Sequence, residues 1–424
     1  MHSRQTGRNK SALRRVRGGS THARARKTAF AFVLTFACAC IGSPALAGSG
    51  GVTVDLVTVG DPGNAPDTRV QEIGAVACGA VDHEFRIARF KVTIGEYAAF
   101  LNAVARSDPH GLYNPQMANN RNIAGIARTG TAGKYVYTVM DNGGDSSNRP
   151  ITYVSWFDCA RFANWMSNGR PSGGAEASTT EDGAYTLLGR SAGAAVARNA
   201  INPNTGSAPA FFIPSEHEWY KAAYYSPAKG GVGVPGYYSY ATQSDERPGN
   251  AIGPLANQAN YRANEIYAVT GVATYDANQN YLTDVGAFTG SPSHYGTFDQ
   301  SGNTYEWNDM EGAPTLLRQR RGGTFEGVFT GSSISFWHSS TWAPDFESFK
   351  FGFRLAAPAE AAPPAPCPAD FDGDGSIGGA DLAILLGSWG TAGKGGSPHD
   401  LDGDGGVGGA DLAILLGAWG PCGR

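Results

Sequence analysis

Two stretches near the C-terminus, DFDGDGSIGGAD and DLDGDGGVGGAD, repeat an aspartate-rich loop at a spacing of 30 residues, from Asp370 to Asp400. In the first, Asp370, Asp372, Asp374, Ser376 and Asp381 fall at loop positions 1, 3, 5, 7 and 12, with Gly375 at the turning position 6. The second repeats this with Asp400, Asp402, Asp404, Gly405, the carbonyl of Gly406 and Asp411. Hard oxygens at these intervals are what Ca²⁺ takes, six to eight at a time. The spacing therefore predicts two calcium ions in this segment. Ile377 and Val407, at position 8, are expected to pair across the loops as an apolar strut. An acidic low-complexity tail would reproduce neither the spacing nor the DLAILLG that follows each loop.

With Asp at position 12 and a helix only after each loop, residues 367–424 resemble a dockerin, the duplicated calcium module that docks secreted proteins onto cohesin partners. The resemblance implies a cohesin-like or other surface partner. It departs at loop positions 10 and 11, where Gly379-Ala380 and Gly409-Ala410 replace the usual Ser-Thr type pair. Cys367 and Cys422 bracket the module, and pairing them would close its ends. In the chain-entropy picture such a loop contributes about 4 kcal/mol, which matters in a segment too small for a large core.

Ahead of the module, APAEAAPPAP lacks periodicity and reads as a spacer, placing a linker at 359–366. At the other end, nine Lys or Arg and no acid precede the apolar run AFAFVLTFACACIG and then SPALA. This is the order of a secretory signal peptide over 1–47, with Ala45 and Ala47 set for cleavage. The run is too short to span a bilayer. A lipoprotein reading through Cys38 or Cys40 lacks an aliphatic residue three positions earlier. Removing the nine cations takes the formal net charge from −4 to −13, which argues against nucleic acid as a partner. A secreted or cell-surface protein is expected, and disulfides are permitted there.

The stretch 48–358 is left as one large domain. VTIGEYAAFLNAVA opens on a capping box, Thr93 with Glu96, and IPSEHEWYKAAYY on another, Ser215 with Glu218. ITYVSWFDCARFANWMS sets Phe157, Phe162, Trp165 and Met166 at helical spacing. Short strands and long loops fill the rest, so the class is α+β.

In order, KVTIGEYAAFLN, PITYVSWFDCARFANWMS, FIPSEHEWYKAAYY, YGTFDQSGNTYEWNDM, RRGGTFEG and FGFRLA resemble the formylglycine-generating enzyme (sulfatase-modifying factor) family. The resemblance implies a relative of the C-type lectin fold with little regular secondary structure, its long loops fastened by calcium. One calcium would take Asp299 and Glu306 side chains with the Gly302 and Thr304 carbonyls. A second would start at Asn260 and the Tyr261 carbonyl, with Asp276 or Asn278 completing it. The alternative for Glu306-Trp307 is a buried acid bonded to backbone beside a core tryptophan.

Catalytic members of that family carry two cysteines, four and nine residues past the second glycine of RGGS, which bind copper and exchange with substrate. In RRGGTFEGVFTGSSIS those positions hold Gly327 and Ser332. Copper is not expected, because hydroxyl does not replace soft sulfur. Cys78 and Cys159 fall elsewhere and read as buried small side chains or as a disulfide with each other. His338, near Asp345 and Glu347, could do acid–base work but reads better as an exposed loop histidine, and no elbow-type turn supports a hydrolase around Ser332, Ser333 and Ser335. Aromatic, Gly/Ser-rich loops such as SFWHSSTWAPDF suit a ligand face or pack onto the core. The expectation is a non-catalytic, exported binding or structural protein, with polysaccharide or glycoprotein as ligand because dockerin-like tails accompany polysaccharide-processing proteins. The runner-up is an enzyme, either a residual sulfatase-activating oxidoreductase or part of a polysaccharide-degrading system.

Overall fold

The structure, a computed structural model, describes residues 51–72, 77–310, 315–327, 331–360, 367–391 and 397–422. The chain divides into Met1–Ala45 and Leu46–Arg424. The signal-peptide reading, with Cys38, Cys40, Ala45 and Ala47, lies outside the described residues, as does most of the Pro/Ala linker. Among the described residues, no helix is long and apolar enough to cross a membrane.

Three helices give the large domain its core. Helix α1 (Ile94–Val104) begins on the Thr93–Glu96 box, both halves of which form, and buries Tyr97, Phe100, Leu101 and Val104. A four-residue helix, α2 (Gln116–Asn119), and the hairpin β3 (Ile126–Thr129) and β4 (Val136–Val139) follow. Helix α3 (Trp156–Ser167) is capped by Ser155 and Asp158, and all twelve of its residues are buried. The aromatic spacing in its sequence implies one apolar face, but the helix threads the core and is covered all round. Its polar residues bond inward: Asn164 Nδ2 donates to the Thr180 and Tyr185 carbonyls at 2.7 and 2.8 Å. Phe162 meets Phe100 edge-on at 5.2 Å, tying α3 to α1. Helix α4 (Glu216–Tyr224) starts on the Ser215–Glu218 box.

Two sheets flank these helices. Strands β1 (Leu56–Val59), β2 (Phe85–Ala88) and β11 (Ala356–Pro358) make an antiparallel sheet in the order β1-β2-β11. The second sheet runs β10-β7-β8-β9, from β7 (Tyr305–Asn308), β8 (Arg318–Arg321), β9 (Ser340–Trp342) and β10 (Phe351–Phe353). Only β10 and β7 pair in parallel there. The two-residue strands β5 (Tyr225–Ser226) and β6 (Gly236–Tyr237) form a short ladder after α4. Mixed helices and strands joined by long loops are the α+β arrangement expected.

The loops are fastened from inside. Four arginines are fully buried, Arg161, Arg318, Arg321 and Arg354. Each meets a buried carboxylate: Glu181 at 2.7 Å, Asp309 at 2.9 Å, Glu216, and Glu306 at 2.5 Å. A guanidinium satisfies several acceptors at once, so one side chain can hold several loop carbonyls beside its carboxylate. Arg354 does this with the carbonyls of Ala88, Arg89 and Phe298.

In the C-terminal segment, helices α5 (Gly379–Gly387) and α6 (Gly409–Gly417) follow the two loops. A disulfide joins Cys367 and Cys422. Ile377 and Val407 share a small core with Ala369, Leu385 and Leu415. The backbone pairing lies elsewhere: β12 (Ser376–Ile377) pairs with β13 (Gly420–Pro421), and the Val407 carbonyl accepts from Gly390. Each loop thus pairs with the segment that leaves the other loop's helix.

Candidate functional site

The Arg-Gly-Gly turn after β8 sets the floor of a cleft. Gly323 has φ +75°, and a side chain there would meet the Ser333 carbonyl at 2.5 Å, so only glycine fits. The turn carries Thr324, Glu326 and Gly327 to one wall of a cavity of about 310 Å³, with Tyr305, Ser333, Trp337 and His338 on the others. A larger opening of about 680 Å³ lies around Asp55 and Glu96. Two of its acids are engaged locally: Glu96 closes the α1 cap, and Asp55 pairs with Arg89 at 2.7 Å. The smaller cleft holds the chemistry.

His338 is not the exposed loop histidine expected. Its side chain is 15% exposed, with Nδ1 2.5 Å from Glu72 Oε2 and Nε2 2.9 Å from the Tyr305 hydroxyl. A carboxylate at Nδ1 selects the tautomer protonated there, so Nε2 accepts from the phenol. Burial holds the imidazole below its ordinary range, with Glu72 opposing and Arg320 reinforcing. Both ring nitrogens are occupied, which leaves none to activate a serine. Arg320 lies over the Tyr305 ring at 3.7 Å, and Lys350 pairs with Glu326 at 2.8 Å across the cleft mouth.

The acids proposed for His338 from sequence sit elsewhere. Glu347 accepts from Asn114 at 2.6 Å, and burial, then Asp158, pushes it up to about 8. The acid that serves is Glu72, which no local pattern links to a histidine 266 residues later.

The two cysteine-matched positions both line this cleft. A Cβ on Gly327 would meet Ser333 Oγ at 2.7 Å and the Thr324 carbonyl at 2.9 Å. Ser333 Oγ is buried without a hydrogen-bond partner. Gly327→Cys is therefore expected to destabilise the domain by about 1–3 kcal/mol through overpacking, read as an earlier urea midpoint at unchanged slope. An unchanged midpoint would show that the turn yields. Among the described residues, Cys78 and Cys159 are free and both buried, not bonded to each other as one reading allowed. Burial pushes the Cys78 thiol up to about 11, with Glu216 adding to it. Cys159, inside α3, is raised well above the ordinary range by burial first.

The large-domain calcium set does not fit the ion. Glu306 is fully buried and bonds Lys91 through Oε1, Arg354 through both oxygens, and the Trp219 indole N–H at 3.0 Å. The Thr304 carbonyl accepts from Lys91 Nζ at 3.0 Å. Asp299 accepts from the Gly286 N–H at 2.7 Å. Gly302, at φ +95°, passes so close to the Asn260 carbonyl that a Cβ would meet it at 2.4 Å. The buried-acid alternative for Glu306 is the better description, with cations rather than backbone as its partners.

The second set is likewise engaged in the fold. Asn260 Nδ2 donates to the Tyr281 carbonyl at 2.9 Å and to Asn303 Oδ1 at 3.0 Å. The Tyr261 carbonyl accepts from Ala263 N and Asn250 Nδ2. Asp276 Oδ1 accepts from Asn278 N, closing its own turn.

In the C-terminal loops the acids do gather. One oxygen each from Asp370, Asp372 and Asp374 lies within 4.8 Å of the others, and so it is for Asp400, Asp402 and Asp411. Asp381 accepts from Phe371 N at 2.6 Å and Gly378 N at 2.8 Å; Asp411 repeats this with Leu401 N and Gly408 N. Asp374 and Asp404 accept from the N–H at position 7, Ser376 and Gly406, each at 2.8 Å. Several carboxylates converging on one loop form a donor set that fits a hard divalent cation.

Among solved structures, the crystal structure of CarF is 21% identical to the chain, covers 73% of it and 99% of its own length, and superposes with a TM-score of 0.41. The Treponema denticola variable protein 1 is 16% identical, with coverages of 73% and 96% and a TM-score of 0.37. PvdO from Pseudomonas aeruginosa is 19% identical, with coverages of 72% and 92% and a TM-score of 0.36. No curated protein matches the chain. Residues 57–359 match the family described as the sulfatase-modifying factor enzyme 1-like domain. With that match spanning both sheets and the cleft between Gly327 and His338, the chain belongs to the FGE-sulfatase family.

Proposed function

We propose that this is an exported, non-catalytic binding or structural protein, whose FGE-like domain is tethered through a calcium-loaded, dockerin-like C-terminal module to a cohesin-like or other surface protein. The observation that carries the non-catalytic reading is the filling at Gly327: the place matched to a thiol is taken up by Ser333 Oγ and the Thr324 carbonyl. A disulfide at Cys367–Cys422 fits an oxidising compartment. The cleft suits a polyhydroxylated ligand, such as polysaccharide or the glycan of a glycoprotein. The Tyr305–His338–Glu72 string and the Glu326–Lys350 pair offer donors and acceptors, and Trp337, 40% exposed, offers a face for a sugar ring.

Affinity electrophoresis of the mature chain against plain and sulfated polysaccharides tests the ligand reading. Retardation that Trp337→Ala weakens about tenfold or more, in line with loss of a stacking anchor of ~1–3 kcal/mol, supports it. No retardation on any polymer sinks it. The Tyr305–His338–Glu72 string favours a second reading, acid–base catalysis within a polysaccharide-degrading system. Release of reducing ends from a retarded polymer, abolished by His338→Gln, would establish that reading instead.

A further inference from the structure

We propose that Lys91 supplies, as a built-in ammonium, the positive charge that calcium would bring to the β7 loop, so that the large domain is fastened without metal. With the C-terminal loops read as calcium sites, as above, calcium dependence is then confined to the C-terminal module.

The argument rests on which atoms meet. The oxygens expected to surround an ion were the Thr304 carbonyl and the Glu306 carboxylate. Lys91 Nζ donates to both. Arg354 covers the remaining edge of Glu306 with Nε and Nη2, at 2.5 and 3.0 Å. Lys91, Glu306 and Arg354 side chains are all fully buried. A dication placed among the same oxygens would face two unit charges inside a fully buried site, where repulsion is screened far less than in water. The Glu306 carboxylate already bonds both cations, and the Asp299 carboxylate, which accepts from the Gly286 amide, lies within their electrostatic reach, so a dication would add to positive charge that these two acids at most balance.

The lysine also reproduces what a metal does mechanically. It comes from the segment just ahead of α1, where the Val92 N–H donates to the Phe353 carbonyl at 2.9 Å. Its ammonium reaches residues 213 and 215 positions later in the chain. The contact therefore crosslinks the start of α1 to the loop entering β7, a non-local tie of the kind an ion would make. Among the described residues, the clusters of three acid, histidine or thiol ligand atoms all lie at or beyond Cys367.

Equilibrium dialysis of the mature chain with radiolabelled calcium reads the stoichiometry, and thermal melting followed by tryptophan fluorescence reads the large domain. Two ions per chain are expected, both lost in the Asp381→Ala, Asp411→Ala double variant, with the large-domain transition unmoved by chelator. Lys91→Met should lower that transition by the same amount with calcium and with chelator. A third ion that survives the double substitution overturns the proposal, as does a wild-type large-domain transition that falls in chelator. Failure to bind any ion would overturn the calcium reading of the tail and still support the ammonium.

Discussion

Glu306→Gln is expected to lower the stability of the large domain by about 3–5 kcal/mol, the usual consequence of removing one partner from a buried ion pair. The carboxylate is enclosed by Lys91, Arg354 and the Trp219 indole. Glutamine keeps the shape but removes the carboxylate charge that bonds both buried cations. Urea unfolding of wild type and variant measures the difference, and a loss below about 1 kcal/mol would mean that the cations find other partners or water. Acid should reproduce part of the effect. Burial alone would raise the Glu306 carboxyl, but Arg354 and Lys91 outweigh it and hold the group down at about 2. Burial pulls the Lys91 ammonium below its ordinary range, with Glu306 opposing. Because the folded value of Glu306 is depressed, its contribution is present above the ordinary carboxylate value and is lost as pH falls through about 2. The wild type should therefore lose stability on acidification from about pH 4.5 down, and Glu306→Gln should show a shallower slope over the same range.

Cys367→Ser or Cys422→Ser is the second large effect, confined to the C-terminal module. The disulfide closes a 55-residue separation, and its removal should cost the module about 4 kcal/mol. The core it supports is small: Ala369, Ile377, Leu385, Val407 and Leu415, with a few half-buried neighbours. Helices α5 and α6 each bury only an aspartate and one leucine. A module with so little apolar burial has no reserve to absorb that loss. Limited proteolysis should clip the serine variants between residues 367 and 422 while the large domain stays intact. Equal resistance of variant and wild type would show that the loops hold without the bridge.

Much of this was legible because it is local. Thr93 with Glu96 and Ser215 with Glu218 announce helix starts within four residues, and both boxes form with the bonds the pattern requires. Each aspartate loop is an equally short-range signal, and its duplication made the segment between Cys367 and Cys422 stand out. What escaped involves partners far apart in sequence. Glu72 and His338 belong to separate loops with no periodicity to align them. The oxygen donors around Glu306 were identified, but the cation came from Lys91, and a donor list does not say which positive charge will fill it. Helical spacing placed Phe157, Phe162, Trp165 and Met166 on α3, but spacing reports where aromatic residues fall and not that all twelve residues are covered. Ile377 and Val407 do share the small core expected of them, but the backbone ladder to Gly420, beyond the second helix, had no local signal.

The first sheet sets a timetable for folding. Its middle strand, β2, carries Arg86 between Thr58 on one side and Ala357 on the other, and Ala356 also bridges to Phe212. A chain emerging N-terminus first can form β1 with β2 and raise its capped helices early. It cannot close that sheet until the final strand of the domain has arrived. Lys91 likewise waits for Glu306, and Glu216 for Arg321. Assembly dominated by such distant pairings is slow, and both sheets need the segment from Phe351 to Pro358, which works as the clasp of the domain.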